Sequence, residues 1–156
     1  MDRACFGPHD AAGRGTFLAL DPAAVPATGL QFARECRVVV LSEDAAVRDE
    51  VTAAVADAPG VVMVCPRWND PAPWGGADRN HVLVIDDEGH EEAVQCVEAL
   101  KAVEPDTAVI YIAAQHTLEL ERQVRRADVT YYADKAARGR NVGRTLAVIL
   151  RTRNAQ

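Results

Sequence analysis

A chain of 156 residues, 49% hydrophobic and 26% charged, has an ordinary globular composition and is long enough to bury roughly two-thirds of its unfolded surface. A formal net charge of −6 argues against direct nucleic-acid binding by this segment, since phosphate neutralisation needs a basic patch. No apolar run approaches the ~20 residues of a membrane span, so no membrane role is expected.

Residues 1–35 are rich in Ala, Gly and Pro and read as an N-terminal arm without sustained periodicity. Its apolar stretch Phe17-Leu18-Ala19-Leu20 is too short for a secretory leader and ends at Asp21, which points to a cytoplasmic chain. Cys5, Cys36, Cys65 and Cys96 are scattered, with no C-x-x-C pair, so neither a disulfide framework nor a zinc site is expected.

The domain proper is expected over 36–151. Arg37-Val38-Val39-Val40-Leu41 reads as a buried strand, followed by the helix-capping chemistry of Ser42-Glu43-Asp44. The next helix runs to about Ala58, with Val47, Val51, Ala54, Val55 and Ala58 at 3-4 spacing on one face, and Pro59-Gly60 stops it. Val61–Cys65 is a second strand. From Pro66 to Asn80 the prolines, glycines and Trp68 and Trp74 forbid a regular helix, so the crossover there is expected to be an irregular loop. One use for its tryptophans is to cover sheet surface that a missing helix leaves bare.

His81–Ile85 is a continuous apolar strand running into Asp86-Asp87-Glu88. A helix over His90–Val103 follows, with Ala93, Val94, Val97 and Leu100 inward. Next come a strand at Ala108–Ile112, a helix capped near Thr117, a strand at Val129–Ala133, and Asp134-Lys135. A final helix capped by Asn141 faces inward with Val142, Leu146, Ile149 and Leu150. Residues 152–156 read as a tail or the start of a linker.

Strands alternating with helices imply a flavodoxin-like (βα)5 fold, a doubly wound parallel sheet of order 2-1-3-4-5 with right-handed crossovers. That order sets Ser42 and Glu43, Asp86 and Asp87, Ala113 and Lys135 side by side at the carboxyl edge of the sheet. Open parallel sheets bind ligands at this edge. Carboxylates facing one lysine suit a hard cation and a phosphoryl group, although acids at strand ends also cap helices.

With these residues the run from Arg37 to about Arg151 resembles the receiver domain of bacterial two-component response regulators. The resemblance places Asp86 at the phospho-acceptor position, Lys135 at the phosphoryl-contacting lysine, and Ala113 and Tyr132 at the two switch positions. Glu43 and Asp86 fall at Mg²⁺-ligand positions.

Several residues depart from the family pattern. Ser42-Glu43 stands for the paired acids, Ala113 has no hydroxyl, Lys135 is followed by Ala136 instead of Pro, and a loop replaces the helix after the second strand. Such a domain resembles an atypical, or pseudo-, receiver. The expected function is that of a non-enzymatic signalling and protein-interaction module with at most weak Mg²⁺ binding and no other cofactor. Its action would not depend on aspartyl phosphorylation.

The expected partners are an output domain, such as a transcription regulator, or another signalling protein, and a second copy. The second copy would dock through the last two helices and the strand between them, at Arg122, Arg125, Arg126, Tyr132 and Val142. The alternatives are a phosphorylatable receiver using Asp86 and a small-molecule-binding flavodoxin-like domain with Trp68 and Trp74 lining its pocket. A receiver-like domain of a pilus-assembly localisation protein is also open.

Overall fold

The computed structural model of the chain describes residues 35–70, 80–137 and 141–155. The expected arm at 1–35 therefore lies almost wholly outside the described residues, as do Trp74 and most of its loop.

Five strands form one parallel sheet: β1 (Cys36–Leu41), β2 (Val61–Val64), β3 (His81–Asp86), β4 (Ala108–Ala113) and β5 (Tyr131–Asp134). Their order is β2-β1-β3-β4-β5, as expected. Among the described residues four helices accompany them: α1 (Ala45–Val55), α2 (Ala93–Val103), α3 (Leu118–Arg126) and α4 (Asn141–Asn154). Among the described residues none is long and apolar enough to cross a membrane.

The period-2 pleat sends alternate side chains of each central strand to opposite faces. Val38, Val40, Val82, Val84, Ile110 and Ile112 meet Val47 and Val51 of α1 and Val142, Leu146 and Leu150 of α4. Val39, Leu41, Leu83, Ile85, Val109 and Tyr111 meet Val94, Val97 and Leu100 of α2 and Val124 of α3. Because both faces are covered, β3 and β4 are buried along their whole length, which explains their unbroken apolar spelling.

Residues 71–79 of the expected loop after β2 lie outside the described residues. Pro66–Asp70 forms turns, and Trp68 packs onto the α2–α3 face, its ring 4.4 Å from the His90 ring.

Four expectations need correction. Helix α1 stops at Val55, and the chain turns through Gly60 at φ 71°, a conformation glycine adopts without strain. Helix α2 starts at Ala93, after two turns. Strand β5 begins at Tyr131 because Thr130 bonds Val109 with its hydroxyl, 3.1 Å from the Val109 amide. Finally, the residues expected to form a tail continue α4 to Asn154. Arg153 donates to His81 O at 2.9 Å, Asn80 Oδ1 at 3.0 Å and Asp106 O at 2.8 Å, which ties the helix end to the sheet.

Val142 is a fifth correction. It cannot present an interface, because it is 0% exposed and heads the stripe that α4 lays on the sheet.

Candidate functional site

Parallel strands that end in register bring their carboxyl termini to one edge. Asp86 is the last residue of β3 and lies opposite Ile112 of β4, while Ala113 lies opposite Asp134 of β5. The Lys135 amide then bonds Ala113 O at 2.7 Å, which fixes the start of the lysine beside the end of β4.

From there Lys135 Nζ reaches Asp86 Oδ2 at 2.6 Å, Asp44 Oδ2 at 3.4 Å and Glu88 Oε1 at 3.7 Å. One ammonium therefore faces three carboxylates. Asp86 is 0% exposed. Its Oδ2 accepts from the lysine and from Ser42 Oγ at 3.1 Å, while its buried Oδ1 has no hydrogen-bond partner. Burial pushes the Asp86 carboxyl above its ordinary pKa, and this outweighs the pull of Lys135 in the opposite direction. Burial alone would lower the lysine, but its contacts with Asp86 and Asp44 hold it above its ordinary value.

Glu88 fills the remaining space. Its carboxylate accepts from the Glu43 amide at 3.1 and 3.0 Å and from the Asp44 amide at 2.9 Å, with Ser42 Oγ 3.4 Å away. These are the amides that lead into α1. Asp44 caps that helix by accepting from Ala46 N at 2.8 Å with Oδ1, leaving Oδ2 for the lysine.

Asp87 has a different task. It accepts from the Ala114 amide at 2.7 Å and from Tyr111 Oη at 3.1 Å, so it braces the loop after β4. Burial first, and the Asp87 charge second, push the Tyr111 hydroxyl well above its ordinary pKa. The Tyr111 ring stacks on Tyr132 with 6.0 Å between centroids, and Tyr132 Oη lies 3.0 Å from His116 Nδ1. Glu121 joins His116 Nε2 at 3.9 Å and Arg125 at 2.8 Å. A contact path thus runs from Asp87 to the exposed face of α3.

Of the expected site residues, Asp86, Lys135 and Ser42 are brought together, with Ala113 buried next to them. Glu43 is not. Its side chain is exposed and makes no ion pair among the described residues, and its contribution is a backbone amide. Asp44 and Glu88 take part instead. The capping role of Asp44 was legible, but nothing in the spacing directs Glu88 back across the sheet to α1. His90 packs on Trp68.

As they stand these residues do not fit a divalent cation, because Asp86 Oδ2, Asp44 Oδ2 and Glu88 Oε1 already face the Lys135 ammonium while the Glu43 carboxylate stays in solvent. Among the described residues no three His, Cys, Asp or Glu side chains are disposed around a common metal position. Two recesses flank the site. One, of about 320 Å³, is lined by Ser42, Glu43, Arg48, Cys65, Arg67 and Trp68. The other, of about 460 Å³, lies between Asp87–Glu91 and α3.

The fold compares closely with solved receivers. A response regulator from Thermotoga maritima matches with a TM-score of 0.58 at 17% identity, over 78% of this chain and 98% of the other. The signal receiver domain of a LuxO repressor protein from Vibrio parahaemolyticus matches with a TM-score of 0.60 at 13% identity, over 78% of this chain and 94% of the other. This is the receiver fold. It is also found in a Burkholderia pseudomallei structure named as pilus assembly-related, with a TM-score of 0.54 at 19% identity, over 81% of this chain and 94% of the other. No protein-family model matches the chain, and no curated protein matches it. The receiver fold thus stands on geometry, with a sequence far from these neighbours.

Proposed function

We propose that this domain is a cytoplasmic signalling and protein-interaction module of the receiver type, neither an enzyme nor dependent on aspartyl phosphorylation. The observation that carries the reading is the state of Asp86. A phospho-acceptor must offer an oxygen to the donor, yet Asp86 is 0% exposed and bonded to Lys135 at 2.6 Å. Ala113 supplies no hydroxyl to a phosphoryl oxygen, and Ser42 supplies no carboxylate to a cation. Mg²⁺ binding is therefore weak.

The signal leaves through the face formed by α3, β5 and α4, which docks an output domain, another signalling protein or a second copy. Arg122 and Arg126 are exposed there and make no ion pair among the described residues, while Arg125 is held by Glu121. Leu118 and Val148 supply exposed apolar surface.

The test is intact mass after incubation with acetyl phosphate and Mg²⁺. The expected outcome is an unmodified chain. A wild-type species heavier by one phosphoryl group, absent from Asp86→Asn, would restore the phosphorylatable reading. A second reading, a module of a pilus-assembly system, draws its support from the Burkholderia pseudomallei neighbour.

A further inference from the structure

Asp87 is a buried anion whose charge the proposed function does not use. It is 6% exposed, and its donors are all neutral: the Ala114 amide at 2.7 Å, Tyr111 Oη at 3.1 Å and the Gly89 amide at 3.4 Å. Among the described residues no lysine, arginine or histidine pairs with it, whereas the neighbouring Asp86 has Lys135. Neutral donors offset part of the cost of burying a charge, and a counter-charge normally supplies the rest. Bracing the loop after β4 does not require the charge. An asparagine would accept from both amides with its oxygen and donate to the tyrosine oxygen with its NH2.

The second observation is the space beside it. Asp87 lines the recess of about 460 Å³ that lies between Asp87–Glu91 and α3. Small-molecule sites have this size, and they gather at the carboxyl edge of such sheets. Val94, Tyr111 and Leu120 give the recess apolar walls, and among the described residues no lysine or arginine lines it. His90 lines it with its ring stacked on Trp68. The Glu88 carboxylate is engaged by the Glu43 and Asp44 amides, so the acids left to the recess are Asp87 and the exposed Glu91.

We infer that this recess binds a small organic cation, an amidinium or guanidinium on an apolar body, with Asp87 as its buried counter-charge. A carboxylate accepts about four hydrogen bonds, and the three that Asp87 makes leave it room for one more. A delocalised cation is weakly hydrated and gives up its water to a buried partner at low cost, whereas Mg²⁺ dehydrates reluctantly. The apolar walls take the rest of the ligand. This goes beyond the proposed function and does not rest on it.

Benzamidine is the probe, with neutral benzamide of the same shape and MgCl2 as controls. Each is titrated into the full chain at pH 7 and constant ionic strength while the Gly89 and Ala114 amide resonances are followed by NMR. Benzamidine should shift both amides saturably at about millimolar concentration or below. Benzamide should bind at least about tenfold more weakly, as should benzamidine to Asp87→Asn, a factor equivalent to ~1.4 kcal/mol. Gln95→Lys alters an exposed residue of the lining and brings an ammonium to the recess, so it too should weaken benzamidine at least about tenfold.

Absence of a saturable shift overturns the inference, and so does benzamide binding as tightly as benzamidine. Unchanged affinity in a folded Asp87→Asn overturns it as well. If Asp87→Asn does not fold, unchanged affinity in Gln95→Lys does the same. Mg²⁺ that saturates the same two amides and displaces benzamidine would make this a metal site instead. Acyl phosphate on Asp86 would sink the proposed function and leave this titration standing.

Discussion

Strand β3 carries a buried polar group at each end, and the two ends are built to opposite rules. At the amino end His81 Nδ1 lies 3.1 Å from Glu104 Oε2, which also accepts from Thr107 Oγ1 at 3.1 Å. Arg153 closes that end from α4 by bonding His81 O, Asn80 Oδ1 and Asp106 O. Among the described residues no side-chain atom there is buried without a partner. At the carboxyl end three carboxylates crowd one ammonium, and Asp86 Oδ1 is buried with nothing to accept from. Buried polar groups are normally satisfied, so the satisfied end reads as a brace and the unsatisfied end as a site. Position on the sheet agrees with this division, since ligands of open parallel sheets gather at the carboxyl edge.

Mutation separates the two ends by size of effect. The largest loss is expected from Lys135→Met, which leaves Asp86 as a buried charge without its counter-ion. Breaking such a pair costs ~3–5 kcal/mol, read by urea denaturation at neutral pH. The double variant Lys135→Met/Asp86→Asn should recover most of that loss, because the stranded charge is gone. A loss below ~1 kcal/mol, the scale of an exposed pair, would mean that solvent reaches the cluster and that the contrast between the ends is false.

The amino end should be less costly to break. His81→Leu deletes the contact to Glu104 but leaves that carboxylate its bond from Thr107. The expected loss is ~1–3 kcal/mol, with the sheet intact by circular dichroism. A loss as large as that of Lys135→Met would make both ends equally strained and remove the distinction.

The strands and their order were legible because burial on both faces leaves unbroken apolar spelling, as in His81–Ile85 and Ala108–Ile112. Asp86, Lys135 and Ser42 were legible too, since the 2-1-3-4-5 order brings strand ends together whatever the side chains do. What could not be read depends on where long side chains turn. Glu43 and Glu88 are the same residue type, yet Glu43 points to solvent and Glu88 crosses to the amides before α1. The backbone turn at Glu88-Gly89 decides that, and both residues there have positive φ. The brace at His81 was illegible for a similar reason. Its partners Glu104 and Arg153 come from a helix end and from a segment spelled like a tail. Val142 is inward by the helix period yet falls at an interface position by the resemblance, and its fully buried place on α4 resolves the conflict.

The smallest effect is expected from Asp86→Asn, and its pH dependence is more informative than its size. The amide oxygen can still accept from Lys135 and Ser42, while the new NH2 meets the partnerless surroundings of Oδ1. The net change at pH 7 should stay within ~1 kcal/mol. Burial holds the folded-state pKa of Asp86 above the ordinary value of 3.8. The folded chain therefore takes up this proton before the unfolded chain does. The resulting stabilisation is fully present below the unfolded pKa and is lost as pH rises through the folded one. Wild type should accordingly gain on Asp86→Asn as pH is lowered through that window, and the difference should level off near pH 4. Denaturant melts of both proteins across the acid range measure it. The opposite slope, with wild type gaining as pH rises from 4, would mean that the attraction of Lys135 outweighs burial. In that case the carboxyl end would be a satisfied ion pair, no different in kind from the brace at the other end of β3.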